Sequence, residues 1–160
     1  MKKTIVTIIA GPALMGSLTA CATDEHPMTA AVVKSTKLDA DLAKKVEKLQ
    51  DKEGSLAAAE ELMETKTSDE YADLYCDDIY SEFANYYAGF SQQPTAAKEQ
   101  AAEILVPNHL NLMHAYTTDD PNERVKALRD AEPLISADGE HGRVLDVNLV
   151  LEDDTWKVCL

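Results

Sequence analysis

The sequence predicts an α+β domain, mainly helical and closed by a C-terminal antiparallel β-hairpin. Three observations predict it. Apolar residues recur at about 100° per residue from Ser68 to Gly89, the helical period. Leucine or methionine recurs every seven residues from Leu42 to Met63. The period then falls to two between Leu145 and Leu160. Helical segments first and strands last is the order of an α+β chain rather than of alternating β–α units. A small helical bundle closed by the hairpin is the alternative architecture.

Residues 22–37 are polar or small, carry Pro27 and show no sustained period, so they read as a tether. Residues 38–66 read as a charged amphipathic helix with Leu42, Leu49, Leu56 and Met63 on one stripe. Val46 fits a second seam position but Glu53 and Glu60 do not, so only half of a coiled-coil seam is present. The helix either docks on the domain or serves as a self-associating spacer, and Gly54-Ser55 is a point where it breaks in two.

Residues 68–160 read as the globular α+β domain. Its first helix, 68–89, has Ser68 as N-cap, with Asp69 and Glu70 in the first turn where the helix dipole favours them. Gly89 suits its C-terminal stop. One arc carries Tyr71, Ala72, Tyr75, Cys76, Ile79, Tyr80, Phe83, Tyr86, Tyr87 and Phe90; the other carries Asp73, Asp77, Asp78, Ser81 and Asn85. A tyrosine-rich face packs its rings while leaving its hydroxyls available. It is therefore either the core side of the helix or, through Tyr71, Tyr75, Phe83 and Tyr86, the lining of a pocket.

A helix over 95–116 is interrupted at Pro107, which suits the first turn of a second piece. Asp120-Pro121 starts another helix, 121–131, with Val125 and Leu128 inward, and Pro133 ends it. A short strand near Leu134–Ser136 precedes the hairpin. There Leu145, Val147, Leu149 and Leu151 alternate with Asp146, Asn148 and Val150, and Trp156, Val158 and Leu160 follow the Asp153-Asp154 turn. A two-residue loop sets Leu151 opposite Trp156 and Leu149 opposite Val158, making one face apolar.

The N-terminus has its own grammar. Lys2 and Lys3 precede an apolar stretch from Thr4 to Ala20, broken by Gly11, Pro12 and Gly16. The stretch is shorter than the roughly 20 residues a membrane-spanning helix needs. It closes on Leu18-Thr19-Ala20-Cys21. Aliphatic, small or polar, Ala, Cys resembles the lipobox of bacterial lipoproteins. The resemblance implies that residues 1–20 are a removed signal peptide and that residues 21–37 form a lipidated tether. It implies a Cys21 sulfur carrying diacylglycerol, an anchor of more than one acyl chain that holds stably. The implied location is the extracytoplasmic side of a bacterial cell membrane. An ordinary secretory signal with an unrelated cysteine is the alternative.

Of the three cysteines, Cys21, Cys76 and Cys159, lipidation engages the first, and an even remainder in an exported chain suggests a Cys76–Cys159 disulfide. Two separate buried thiols are the alternative. The hairpin register poses a conflict. It puts Cys159 on the face opposite Trp156, whereas Cys76 lies on the apolar arc of its helix. A bridge then requires the helix to reach the far sheet face or the last residues to twist away.

The net charge is −14 over 160 residues, and removal of Lys2 and Lys3 lowers it by two more. Such a chain repels nucleic acid and anionic headgroups, so the membrane partner is held through lipid, not through a basic surface.

The terminal run from Val147 to Val158, with its acidic turn followed by Trp156-Lys157-Val158, resembles exported cone-shaped α+β domains related to ketosteroid isomerase and nuclear transport factor. The resemblance implies a strongly curved sheet around a pocket, with isomerase- or hydrolase-type chemistry in catalytic members. Asp146 and His114 are the nearest acid–base candidates, but neither matches a family motif.

Other chemistry is thin. His109 and His114 are five apart, not the four that puts two ligands on one helical face. His26 lies in the tether and His141 in a glycine-bounded turn, Asp138 to Gly142, that lacks a calcium ladder. Glu99 and Glu103 read as solvated. No nucleophile elbow, phosphate loop or C-x-x-C pair is present. The expectation is a non-catalytic envelope lipoprotein without metal or cofactor, which binds an envelope protein or a small apolar ligand. A pocket enzyme and a helical spacer are the alternatives.

Overall fold

A computed structural model describes residues 24–117 and 120–159. The chain folds as an α+β domain. Its helices are α1 (Pro27–Glu53), α2 (Ser55–Lys66), α3 (Asp69–Leu74), α4 (Asp77–Ser91), α5 (Thr95–Thr117) and α6 (Pro121–Asp130). The strands β1 (Leu134–Ile135), β2 (His141–Val144), β3 (Val147–Glu152) and β4 (Thr155–Val158) form an antiparallel sheet in the order β1-β2-β3-β4. The signal and lipobox residues lie outside the described residues.

The expected tether is instead the first half of the central helix. α1 starts at Pro27, with the His26 ring Nδ1 accepting from the Met28 N–H at 3.2 Å. Met28 and Val32 are fully buried, Val33 nearly so. The stretch looks polar because Thr29, Ser35 and Thr36 separate these anchors, yet those residues are buried too. The Ser35 and Thr36 hydroxyls donate to the Val32 carbonyl, each at 2.9 Å, so they enter the core without an unmet hydrogen bond. Met28 also presses on Gly142 of β2, where a Cβ would come within 2.1 Å of its Cε. Met28→Ala is expected to cost about 2–5 kcal/mol in urea unfolding, the range for emptying a buried site; a tether residue would cost nothing measurable.

The charged helix begins before residue 38 and breaks at Gly54, whose φ of 94° suits glycine. α2 folds back along α1, with Lys45 bonding Glu61 at 2.5 Å. The seven-residue stripe faces inward: Leu42 and Met63 are buried, and Leu49 and Leu56 pack against the core. α1 is the hub, packing against α2, α5, α6, β2 and β4.

The expected helix over 68–89 is broken. Tyr75 and Cys76 are extended and separate α3 from α4, which runs past Gly89 to Ser91. No glycine or proline marks this break. Its cause is tertiary: Tyr75 bridges Val158 in parallel, and the Cys76 N–H donates to the Val158 carbonyl at 2.9 Å. The chain leaves the helix to line the outer edge of β4, covering an edge that would otherwise be open.

α5 is continuous through Pro107, contrary to the expected interruption. Ala102, Leu105 and Val106 before the proline and Leu110 and Met113 after it are buried in the same core, which holds both halves in line. α6 forms as expected, with Asp120 accepting from the Asn122 N–H at 2.9 Å and Val125 and Leu128 buried.

The hairpin has the expected register, Leu149↔Val158 and Leu151↔Trp156. Asp153 and Asp154 both have positive φ, 48° and 60°, as a tight two-residue turn demands. Leu145 departs from expectation. It sits in the β2–β3 turn with φ 53°, and β3 starts at Val147. β2 occupies residues that read as a turn, because Gly142 and Arg143 interrupt the alternation that marks a strand.

Candidate functional site

A buried ion pair joins α1 and α2. Lys66, the last residue of α2, is only 6% exposed. Its ammonium donates to Asp39 Oδ1 of α1 at 2.7 Å. The same oxygen accepts from the Tyr71 hydroxyl at 2.9 Å, and Asp39 Oδ2 accepts from the Tyr75 hydroxyl at 2.7 Å. The ammonium also lies 4.8 Å from the Tyr71 ring centroid, 5.2 Å from that of Tyr75 and 5.3 Å from that of Phe83. The rings present their negative faces to the cation. Burial, and then the Asp39 carboxylate, hold the Tyr71 phenol protonated well above the ordinary tyrosine range.

Beside this cluster opens a cleft of about 250 Å³. α2 contributes Leu62, Met63 and Lys66; α4 contributes Glu82, Phe83 and Tyr86; α5 contributes Leu105 and His109. The cleft exists because α4 rests on α2 and α3 while α5 rests on α1 and α2. Only Phe90 of α4 is buried, so its other aromatic residues remain partly open. Tyr86, at the rim, is 50% exposed. Burial, and then the nearby Lys66 ammonium, hold His109 below the ordinary histidine range, which favours its neutral form. The cleft thus offers apolar walls, the His109 imidazole, the Glu82 carboxylate and one side of Lys66.

The expected pocket residues divide. Phe83 and Tyr86 line the cleft. Tyr71 and Tyr75 do not; each is 1% exposed, and their hydroxyls are engaged by Asp39. Asp39 and Lys66 escaped sequence reasoning, and His109 was weighed there only as a metal ligand, not as part of a cleft. A signal existed for Lys66, which follows Leu62 by four residues and shares its helical face. Asp39 carried none, because its partners come from two other helices and the break after α3.

The two sulfurs of Cys76 and Cys159 are bonded at 2.06 Å. The register conflict disappears because Cys76 is not on a helix. Tyr75 and Val158 sit side by side in parallel, so the residue following each points to the same side of the sheet. Cys21, the expected lipidation site, lies outside the described residues.

Asp146 and His114 are far from this chemistry. Asp146 is an exposed turn residue paired with Arg124, and His114 pairs with Glu47 at 2.7 Å on the surface. His26 caps α1, and His141, the first residue of β2, contacts Asp138 of the preceding turn at 3.1 Å. Among the described residues no cluster of three His, Cys, Asp or Glu side chains is placed to hold a metal, and no helix is long and apolar enough to cross a membrane. No protein-family model, curated protein or solved structure matches the chain.

Proposed function

We propose that the protein is a membrane-anchored envelope lipoprotein of non-catalytic binding type, whose cleft takes a small, largely apolar molecule. The lipobox at Leu18–Cys21 supports the anchor. The observation that carries the binding role is the cleft itself, walled by Leu62, Met63, Phe83 and Leu105. The ion pair beside the cleft is structural rather than catalytic in kind. Asp39 accepts three hydrogen bonds and Lys66 is paired, so neither is a free base or nucleophile. The helical-spacer alternative loses its main support, since the leucine stripe of residues 38–66 faces the domain's own core.

Titration with N-phenyl-1-naphthylamine, an apolar fluorescent probe, tests the binding role. Saturable enhancement at one probe per chain is expected, displaced by decanol. Tyr86→Ala removes a rim ring and should weaken binding about tenfold. Unsaturable fluorescence, or an unchanged affinity in that variant, would exclude the cleft as the site.

A further inference from the structure

We infer that the anchored domain rests directly on the bilayer, with the edge strand β1 and its Leu134 and Ile135 side chains at the headgroup level. The inference rests on the lipoprotein reading and adds the face that meets the membrane.

The length of free chain carries the argument. Only Ala22 and Thr23 lie between Cys21 and Asp24, so three chain steps of at most about 3.5 Å each give a lipid on Cys21 a reach of roughly 10 Å from the first described residue. From Asp24 onward the chain is held. Glu25 pairs with Arg129 of α6 at 2.8 Å, and His26 caps α1. A domain on so short a leash cannot stand clear of the surface that holds its lipid.

The face around that attachment point is the second observation. Asp24, Glu25 and His26 share one surface hollow with Arg129, Ala131 and Pro133. Leu134 and Ile135 follow Pro133 directly, and both are large apolar residues left open, at 55% and 51%. Met28, one residue into α1, lies near the Leu134 carbonyl through Gly142. Asp24, from which the chain leads back toward Cys21, and the exposed apolar strand therefore occupy the same end of the molecule.

The chemistry fits a phospholipid surface. Successive strand residues point to opposite faces, so Leu134 and Ile135 are both available only when the strand meets a surface edge-on. At headgroup depth the outer backbone groups of β1 still reach water or phosphate, which the hydrocarbon core would deny them. Arg143 sits directly opposite Leu134 and is exposed, suited to a lipid phosphate with its stem alongside the leucine. The strongly acidic chain needs such a local apolar contact, because its overall charge opposes approach to anionic lipid.

The test uses the full chain, matured in its own membrane and reconstituted in dioleoylphosphatidylcholine vesicles with or without brominated acyl chains. Leu134→Trp and, as a control, Ile104→Trp are each made with Trp156→Phe. Should that background alter the circular dichroism, Trp156 is kept and its own signal subtracted. The mass of each protein is measured in parallel. The expected result is a diacylated Cys21 species in which bromine quenches the Leu134→Trp emission several-fold more than the Ile104→Trp emission. Equal quenching in a diacylated protein would overturn the docking face and leave the anchor standing. Emission from Leu134→Trp that is shielded from bromine but depends on protein concentration would overturn it in favour of a second copy covering β1. A protein not acylated at Cys21 would overturn both readings.

Discussion

Asp39→Ala should destabilise the domain by about 3–5 kcal/mol in urea unfolding, the cost of removing one partner from a buried ion pair. Three groups lose their acceptor at once: the Lys66 ammonium and the Tyr71 and Tyr75 hydroxyls. Water replaces that acceptor poorly, because Lys66, Tyr71 and Tyr75 are all buried. Lys66→Met alone is expected to cost less. It removes the cation but leaves Asp39 two hydroxyl donors, and methionine fills much of the same aromatic surround. The double variant Asp39→Ala with Lys66→Met should lose clearly less than the two single losses summed, since no uncompensated charge remains. A cycle in which the two losses simply add would show that the pair does not act as a unit.

Cys76→Ser is the second large effect. The bridge closes a loop of sequence separation 83, and opening it is expected to cost about 4 kcal/mol in the chain-entropy model. Reduction of the unaltered protein should lower its denaturation midpoint by a similar amount, while Cys76→Ser should not respond to reductant. The damage should begin locally. The bridge pins the end of β4 to the extended pair Tyr75–Cys76, and Tyr75 carries one of the hydroxyls bound to Asp39. Hydrogen exchange should therefore rise first at the Cys76 and Cys159 amides, which donate to the Val158 and Asn148 carbonyls. A reduced protein with an unchanged midpoint and unchanged exchange would remove the bridge from the stabilising framework.

Sequence periodicity located most helices and the hairpin because those signals are local. Val125 and Leu128 on α6, and Leu149 opposite Val158, follow from spacing and from a two-residue turn. Where reading failed, a distant partner had overridden the local pattern. α3 and α4 form one unbroken amphipathic repeat, yet the chain departs from it at Tyr75–Cys76 to reach β4. Residues 22–37 look like linker because small and polar residues separate Met28, Val32 and Val33 and blur their period. From Pro27 on the stretch joins the core through those three side chains, and Ser35 and Thr36 follow because their hydroxyls bond back to their own helix. Pro107 looks like a break, but burial on both sides holds α5 together.

The candidate site divides in the same way. Phe83 and Tyr86 were legible as members of an aromatic arc. Their separation from Tyr71 and Tyr75 was not, since it depends on Asp39 capturing two hydroxyls from across the fold.

By itself the sequence determined the class of the fold, the hairpin register and the lipobox pattern, because each rests on neighbours in the chain, and a count suggested the cysteine pair that the fold then made geometrically possible. Only the tertiary structure decided that the supposed tether is core, that the aromatic helix is two, and that Asp39, Lys66 and His109 converge. Those features arise where packing and hydrogen bonding between distant segments outweigh the small free-energy preferences that local sequence encodes.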